Sequence, residues 1–191
     1  MTHPKILAFA GSTRTDSFNK KLVKIAANIA EEQGLEVTHL DLRDLPMPIY
    51  DGDLEENEGI PDNGMKFRKL LKEHQGFLIS APEYNSSISG VLKNAIDWAS
   101  RPIPNEESLI CFKNKIVSLL SASPGALGGL RGLVHVRAIL GNIGSIVLPH
   151  QYALSKAHET FDPDGTLKDK KTLTTIEQQI KMFIEVLRRL A

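Results

Sequence analysis

Residues 11–19 combine side chains and backbone features suited to binding a phosphate. Their sequence, Gly-Ser-Thr-Arg-Thr-Asp-Ser-Phe-Asn, follows the apolar run 6–10 and precedes a helical pattern. A glycine lets the backbone approach a ligand, and a helix N-terminus leaves N–H groups that attract anions. Arg14 adds a fixed positive charge suited to a phosphate monoester. We therefore predict a buried strand, a phosphate-binding turn and the start of a helix.

Polar side chains within this turn can donate to phosphate oxygens: Ser12, Thr13, Thr15, Ser17 and Asn19. Asp16 would repel an anion, so we expect its carboxylate to point away, where N–H groups of the loop or helix can bind it. A cluster of Ser, Thr and Asn after a strand can also serve only to cap the next helix. The turn alone does not decide between these two interpretations.

The composition is typical of a neutral small-molecule enzyme. The 191 residues include 23 basic and 23 acidic side chains, and this balance argues against a nucleic-acid partner. A hydrophobic content of 41% supports one sizeable core, so we predict a single domain over residues 1–191. The single cysteine, Cys111, excludes an internal disulfide and suits a reducing compartment. The run 6–10 is too short for a signal peptide or membrane span, and we expect a cytoplasmic protein.

Strand-like and helix-like segments alternate along the chain. Apolar residues recur at helical spacing from Leu22 to Ala30, and this pattern stops near Gly34. The Pro-rich segment 44–63 is predicted to be a long loop. Further strands are predicted at 35–42, 77–81, 115–121 and 145–148, with helices at 65–74, 90–100, 129–140 and 173–190. Five strands that alternate with helices predict an α/β fold, with a parallel sheet covered by helices on both faces.

Ligands of such sheets bind at the carboxyl ends of the strands, which selects three loops. The loop 11–19 offers anion binding, and Tyr84 in the loop 81–90 offers a flat aromatic face. The loop 121–129 is rich in Gly and Ser and can lie close against a planar ring. A phosphate site beside a surface for a planar ring predicts that the protein binds a mononucleotide.

Three motifs resemble the NADPH-dependent FMN reductases, a group that includes quinone, azo-dye and chromate reductases. They are residues 11–19, Pro-Glu-Tyr-Asn at 82–85 and Gly-Val-Leu-Lys-Asn-Ala-Ile-Asp-Trp at 90–98. The resemblance extends from Ile6 through Phe-Asp-Pro-Asp-Gly at 161–165, and the paired motifs are more specific than either alone. It implies a flavodoxin-like three-layer sandwich whose five-stranded parallel sheet has the order 2-1-3-4-5.

The same resemblance implies which residues bind FMN. The phosphate would lie among Ser12, Arg14, Ser17 and Asn19. The isoalloxazine ring would be lined by Pro82, Glu83, Tyr84, Asn85 and Ser86, with Ser121 and Gly125 beside it. We assign Glu83 a positioning role, since its carboxylate can accept a hydrogen bond from a nearby turn N–H.

The chemistry is predicted to belong to the flavin, because the sequence has no visible catalytic triad and no metal-ligand spacing. We therefore assign no catalytic side chain and no metal. In our hypothesis, NADPH or NADH passes a hydride to bound FMN and leaves. A quinone, free flavin, azo dye or metal oxyanion then accepts two electrons at the same place, in a ping-pong cycle. The sequence leaves the acceptor and the choice between NADPH and NADH open.

An electron carrier of the flavodoxin type is the alternative function. Flavodoxins are usually acidic and lack an arginine at this point of the phosphate loop, so the neutral charge and Arg14 argue against it. The family resemblance favours a homodimer or homotetramer, with residues 90–101 and the neighbouring loops at the interface, although the core is the default place for Trp98 and Ile96. Residues 162–165 resemble a calcium loop, but Pro163 interrupts the pattern and we predict a turn.

Overall fold

A five-stranded parallel sheet forms the centre of the computed structural model, which describes residues 4–190. Its strands are β1 (Lys5–Ala10), β2 (Glu36–Asp41), β3 (Gly76–Ser80), β6 (Ile116–Ala122) and β7 (Ile146–Leu154), and a separate antiparallel hairpin contains β4 (Glu83–Tyr84) and β5 (Ser87–Ile88). The order in the sheet is β2-β1-β3-β6-β7. Counting only these five strands along the chain gives 2-1-3-4-5, because the hairpin takes two numbers. The predicted fold class is confirmed.

Helices cover both faces of the sheet. They are α1 (Phe18–Glu32), α2 (Gly52–Glu58), α3 (Asp62–Glu73), α4 (Gly90–Ala99), α5 (Leu130–Asn142), α6 (Ala157–Thr160) and α7 (Lys170–Leu190). One apolar cluster packs α1 and α7 against the sheet, and a second packs α3, α4 and α5 against its other face. Since both faces are covered, β3 and β6 are buried along their whole length and their sequences are nearly continuous apolar runs.

The predicted loop 44–63 is wrong in part, because α2 lies within it and α3 begins at Asp62. Asp51 initiates α2 by accepting hydrogen bonds from the backbone N–H groups of Asp53 and Leu54, at 2.8 and 3.3 Å. No residue of α2 is buried. The helix therefore has no apolar stripe, which is the signal that sequence periodicity detects.

The last strand is longer than the predicted 145–148. Its pairing with β6 shifts register, so that Val147 lies opposite Val117 while Gln151 lies opposite Leu119. The irregular part contains Pro149, which has no N–H group to donate to the neighbouring strand. The strand resumes its pairing after this irregularity and extends to Leu154.

The segment 162–165 forms a turn, as predicted. The N–H of Gly165 donates to the carbonyl of Asp162 at 2.9 Å, and Gly165 has a φ of 89°. Cys111 is completely buried in the cluster that contains α3, α4 and α5. Among residues 4–190 no helix is both long and apolar enough to cross a membrane.

Candidate functional site

A cleft of about 280 Å³ lies where β1, β3 and β6 end. Its lining comes from all three predicted loops and consists of Ser12, Arg14, Ser17, Phe18, Asn19, Pro82, Glu83, Tyr84, Ala122, Ser123 and Pro124. Four other residues predicted to bind the cofactor lie outside this lining: Asn85, Ser86, Ser121 and Gly125. Phe18, Ala122, Ser123 and Pro124 were not singled out from the sequence, although each directly neighbours a predicted residue or lies in a predicted loop.

The N-terminus of α1 leaves backbone donors free at one end of this cleft. Ser17 occupies the N-cap position in an extended conformation, and its hydroxyl makes no capping hydrogen bond. Among the described residues, the N–H groups of Phe18 and Asn19 have no protein acceptor. Arg14 is exposed and forms no ion pair within the same residues. Free N–H groups beside an uncompensated cation fit a dianionic phosphate.

Asp16 points away from these donors, as expected. Its side chain is 81% exposed and forms an ion pair with Lys21, with Nζ and Oδ1 separated by 2.8 Å. The hydrogen bond from Lys21, assisted by its charge, lowers the pKa of the Asp16 carboxyl. The partner of the Asp16 carboxylate is therefore Lys21, and not the N–H groups of the loop or helix that the sequence suggested. Lys21 thus neutralises the one acid in the loop by direct contact, while Arg14 forms no ion pair with it and contributes only its more distant charge.

Gly11 is required by packing at the start of the turn. A Cβ atom on Gly11 would lie 2.9 Å from the Cβ and Cδ2 atoms of Leu92 on α4. Ser89 fixes the same contact, since its Oγ donates to the carbonyl of Gly11 at 2.6 Å and accepts from the N–H of Leu92 at 3.2 Å. The glycine thus lets α4 approach the loop, whereas the sequence suggested approach of a ligand.

Asn19 connects α1 to two strands of the sheet. Its Oδ1 accepts from the Ser80 hydroxyl and from the Ala122 N–H, both at 2.9 Å. Its Nδ2 donates to the Ala122 carbonyl at 2.8 Å. The side chain is buried, and these bonds fix the start of α1 relative to β3 and β6. Asn19 can still offer its backbone N–H and its second amide hydrogen to a ligand.

The hairpin of β4 and β5 forms the second wall of the cleft. Tyr84 pairs with Ser87, and the two residues between them, Asn85 and Ser86, have φ angles of 49° and 65°. Two-residue hairpin turns of type I′ require positive φ at both central positions, and asparagine is favoured there. The hairpin leaves Tyr84 53% exposed at the cleft. Asn85 and Ser86 therefore shape the turn that presents Tyr84.

Glu83 turns its carboxylate toward the N-terminus of α5. Its Oε2 accepts from the N–H groups of Arg131 and Gly132 at 3.0 and 3.1 Å, and its Oε1 accepts from Nε of Arg131 at 2.8 Å. Burial favours the neutral carboxyl, but the hydrogen bonds from Gly132 and Arg131 outweigh it and lower the pKa of Glu83. The group is a charged hydrogen-bond acceptor near neutral pH, which does not suit a proton donor.

The loop after β6 provides the third wall. Ser121 is buried and donates to the Ala81 carbonyl at 2.7 Å. The Gly125 carbonyl accepts from the N–H groups of Gly128 and Lys156, at 3.3 and 3.2 Å. These contacts fold the loop so that Ser123 and Pro124 face the cleft. No cluster of three or more His, Cys, Asp or Glu residues suited to a metal occurs in residues 4–190.

A parallel sheet covered by helices on both faces, with a cleft at its carboxyl edge beside the free N–H groups that begin α1, is the architecture of a flavodoxin-like mononucleotide-binding protein. Residues 4–159 match the NADPH-dependent FMN reductase family, and the chain belongs to this family. It is an FMN-dependent oxidoreductase that uses NAD(P)H as electron donor, which confirms the predicted family, enzyme class and cofactors.

Individual relatives agree with this assignment. The chain is 37% identical over 188 residues to a probable NADPH:quinone oxidoreductase from Oryza sativa subsp. japonica, covering 94% of this chain and 86% of the relative. It is 34% identical over 188 residues to an NAD(P)H-dependent FMN reductase from Pseudomonas aeruginosa, covering 97% and 96%. Among solved structures, it resembles FerB, a flavoenzyme NAD(P)H:(acceptor) oxidoreductase from Paracoccus denitrificans, with a TM-score of 0.82, 26% identity and 98% coverage of both chains.

Proposed function

We propose that this protein transfers two electrons from NAD(P)H to a quinone or a similar diffusible acceptor, by a ping-pong mechanism at one shared site. The observation that carries the proposal is that one cleft is lined both by Arg14 and the start of α1, with its free N–H donors, and by the exposed Tyr84. Such a cleft suits a phosphate at one end and a planar ring at the other. The names of the rice and Pseudomonas relatives support a quinone or a flavin as the acceptor.

The protein's own contribution is to bind and orient the reactants. Bound FMN supplies the redox chemistry by accepting a hydride from NAD(P)H and passing two electrons to the acceptor. We assign its phosphate to Arg14, Ser12, Ser17 and the N–H groups of Phe18 and Asn19. We assign the ring to the walls formed by the hairpin and the loop after β6, which contribute Pro82, Glu83, Tyr84, Asn85, Ser86, Ser121 and Gly125 directly or through their backbone. No side-chain acid is needed for this role.

We also propose that the protein is a cytoplasmic homodimer or homotetramer whose residues 1–191 form one domain, with no nucleic-acid partner. Leu130 and Val134, one turn apart on α5, are 44% and 56% exposed and offer an apolar surface for a second subunit. The zero formal net charge gives no support to nucleic-acid binding. Light scattering at micromolar concentration tests the assembly, and a monomeric mass would contradict it.

The visible spectrum of the FMN-loaded protein tests the reaction. Under anaerobic conditions, NADPH should bleach the flavin band and a benzoquinone should restore it. Initial rates at several fixed acceptor concentrations should then give parallel double-reciprocal lines. Lines that intersect, together with a ternary complex observed directly, would contradict the shared site. A flavin band that NADPH leaves unchanged would favour the electron-carrier function instead.

A further inference from the structure

We propose that Glu83 is a positioning residue that fastens the hairpin wall of the FMN cleft to the N-terminus of α5, and so fixes the spacing of the two walls around the ring. The proposal rests on the proposed function of the cleft. It concerns a carboxylate that lines the cleft but makes its hydrogen bonds to another element, as described above. The residue acts through the backbone that it holds in place.

Helix α5 lacks an N-cap side chain of its own. Its N-cap residue is Gly129, which has a φ of 92° and no side chain to bind the first N–H groups. The Glu83 carboxylate binds the N–H groups of the second and third helical residues, Arg131 and Gly132. These are the donors that an N-cap side chain normally satisfies. Glu83 therefore caps α5 from a strand that lies 48 residues away in the chain.

A second set of bonds prevents the carboxylate from rotating away. Both Nε and Nη2 of Arg131 reach Glu83 Oε1, at 2.8 and 2.6 Å. The Glu83 side chain is only 9% exposed, whereas Arg131 is 57% exposed. Both carboxylate oxygens are thus occupied by α5, Oε2 by two backbone N–H groups and Oε1 by the Arg131 guanidinium, and contacts to both oxygens fix the orientation of the carboxylate as well as its distance.

The backbones on either side of this contact lie close together. A Cβ atom on Gly132 would lie 3.3 Å from the Glu83 Cβ and from the Ser87 carbonyl oxygen. One turn further along α5, His135 Nδ1 lies 2.9 Å from the Ser87 hydroxyl. The hairpin therefore lies along the first turns of α5. Because Gly129 joins α5 to the loop that contains Ser123 and Pro124, fixing the hairpin on α5 also fixes it relative to that loop.

The test compares two carboxylate caps. Glu83→Ala removes the contact, and Asp169→Ala removes a similar cap at the start of α7, where Asp169 accepts from the N–H groups of Lys171 and Thr172 at 3.2 and 2.9 Å. We would measure FMN affinity by fluorescence quenching, the visible circular dichroism of bound FMN, and the Tm of the FMN-free protein. Glu83→Ala should weaken FMN binding about tenfold, which is the effect expected for the loss of one hydrogen bond to a charged group. It should also alter the dichroism of bound FMN. Asp169→Ala should lower Tm only.

Conservative variants separate positioning from folding. Glu83→Gln keeps an oxygen that can accept the two backbone N–H bonds, so it should recover part of the affinity and most of the dichroism. Arg131→Ala removes only the side-chain contact and should have a smaller effect than Glu83→Ala. If Glu83→Ala does not fold, the Gln and Arg131 variants decide the question. Wild-type affinity and dichroism in the variants that fold would overturn the proposal, whereas wild-type protein that binds no FMN would overturn the proposed function.

Discussion

The N-termini of α1 and α5 are alike in position but differ in whether the described part of the chain supplies an acceptor for their first N–H groups. Each follows a buried strand of the sheet at its carboxyl end, and neither is capped by the side chain of its own N-cap residue. At α5, Glu83 supplies a carboxylate and Arg131 balances it. At α1, the N–H groups of Phe18 and Asn19 have no acceptor among the described residues, and Arg14 is unpaired there.

This difference shows why one helix is suited to a ligand and the other to structure. Both ends present the same backbone donors and the same positive end of a helix dipole, so both attract an anion. The protein satisfies α5 internally, whereas the first N–H groups of α1 have no acceptor among residues 4–190, which is why we propose them for the phosphate of FMN. A helix N-terminus therefore indicates a ligand site only when no carboxylate from elsewhere in the chain already accepts from its N–H groups.

Giving α1 an internal anion should produce the largest effect. Ser17→Asp places a carboxylate at the N-cap, where it can bind the free N–H groups and repel the FMN phosphate. Like charges in contact cost several kcal/mol, so FMN affinity should fall at least about a hundredfold. The FMN-free protein should gain about 0.5–1 kcal/mol of stability in urea unfolding, since the helix acquires a cap. Ser17→Asn is the uncharged control, and an equal loss of affinity in that variant would rule out charge as the cause.

Removing Arg14, the cation beside the N-terminus of α1, should have the next largest effect. Arg14→Ala should weaken FMN binding about ten- to hundredfold, the range expected for hydrogen bonds to a charged group, while the Tm of the FMN-free protein stays unchanged. Lys24→Ala, at an exposed position of α1, removes an equal charge away from the cleft. Isothermal titration with FMN measures both. Equal affinities for the two variants would contradict the assignment of the phosphate to Arg14.

The sequence predicts the α1 end of this comparison better than the α5 end. The apolar run 6–10, the polar turn and the helical stripe are contiguous in the chain, and local signals were enough to place Arg14 beside free N–H groups. Asn19 was predicted as a phosphate donor, but its buried bonds to Ser80 and Ala122 join segments 61 and 103 residues apart. No local pattern reports such contacts.

The cap of α5 could not be predicted from the sequence either, because Glu83 and Arg131 are also far apart in the chain. Gly129 predicts no cap, and nothing near Pro-Glu-Tyr-Asn indicates that Glu83 faces Arg131. The sheet order and the three loops were predictable because parallel α/β topology fixes them once five strands are counted. Residue-level roles within those loops depend on which side chains the tertiary structure brings together, and Glu83 and Asn19 are the clearest examples.

The loop that leads into α5 should tolerate little change, and Gly129 tests this. Gly129→Ala would place Cβ 1.9 Å from Ser121 Oγ and require a left-handed backbone at φ 92°. The free energy of unfolding should fall by about 1–3 kcal/mol, the cost of a strained backbone position. Gly125→Ala is the control on the same loop, because its Cβ would make only an ordinary contact of 3.5 Å with Ser123 Oγ. Equal stability of both variants in urea unfolding would show that the loop adjusts freely.

The smallest expected effect is a difference between the two helix ends in how stability depends on pH. The folded pKa of Glu83 is lowered, so its contribution to stability is complete above the unfolded pKa, about 4.3, and is lost as pH falls through the lower folded value. The difference in Tm between wild type and Glu83→Gln, a few degrees at most, should therefore be constant from pH 6 to 8 and shrink in acid. Asp16→Asn is the comparison at α1. Its pKa is also lowered, by Lys21, but the pair is exposed, so the corresponding difference should be close to zero at every pH. If the Tm difference for Asp16→Asn varied more with pH than that for Glu83→Gln, the Glu83 carboxylate would not stabilise α5 as proposed.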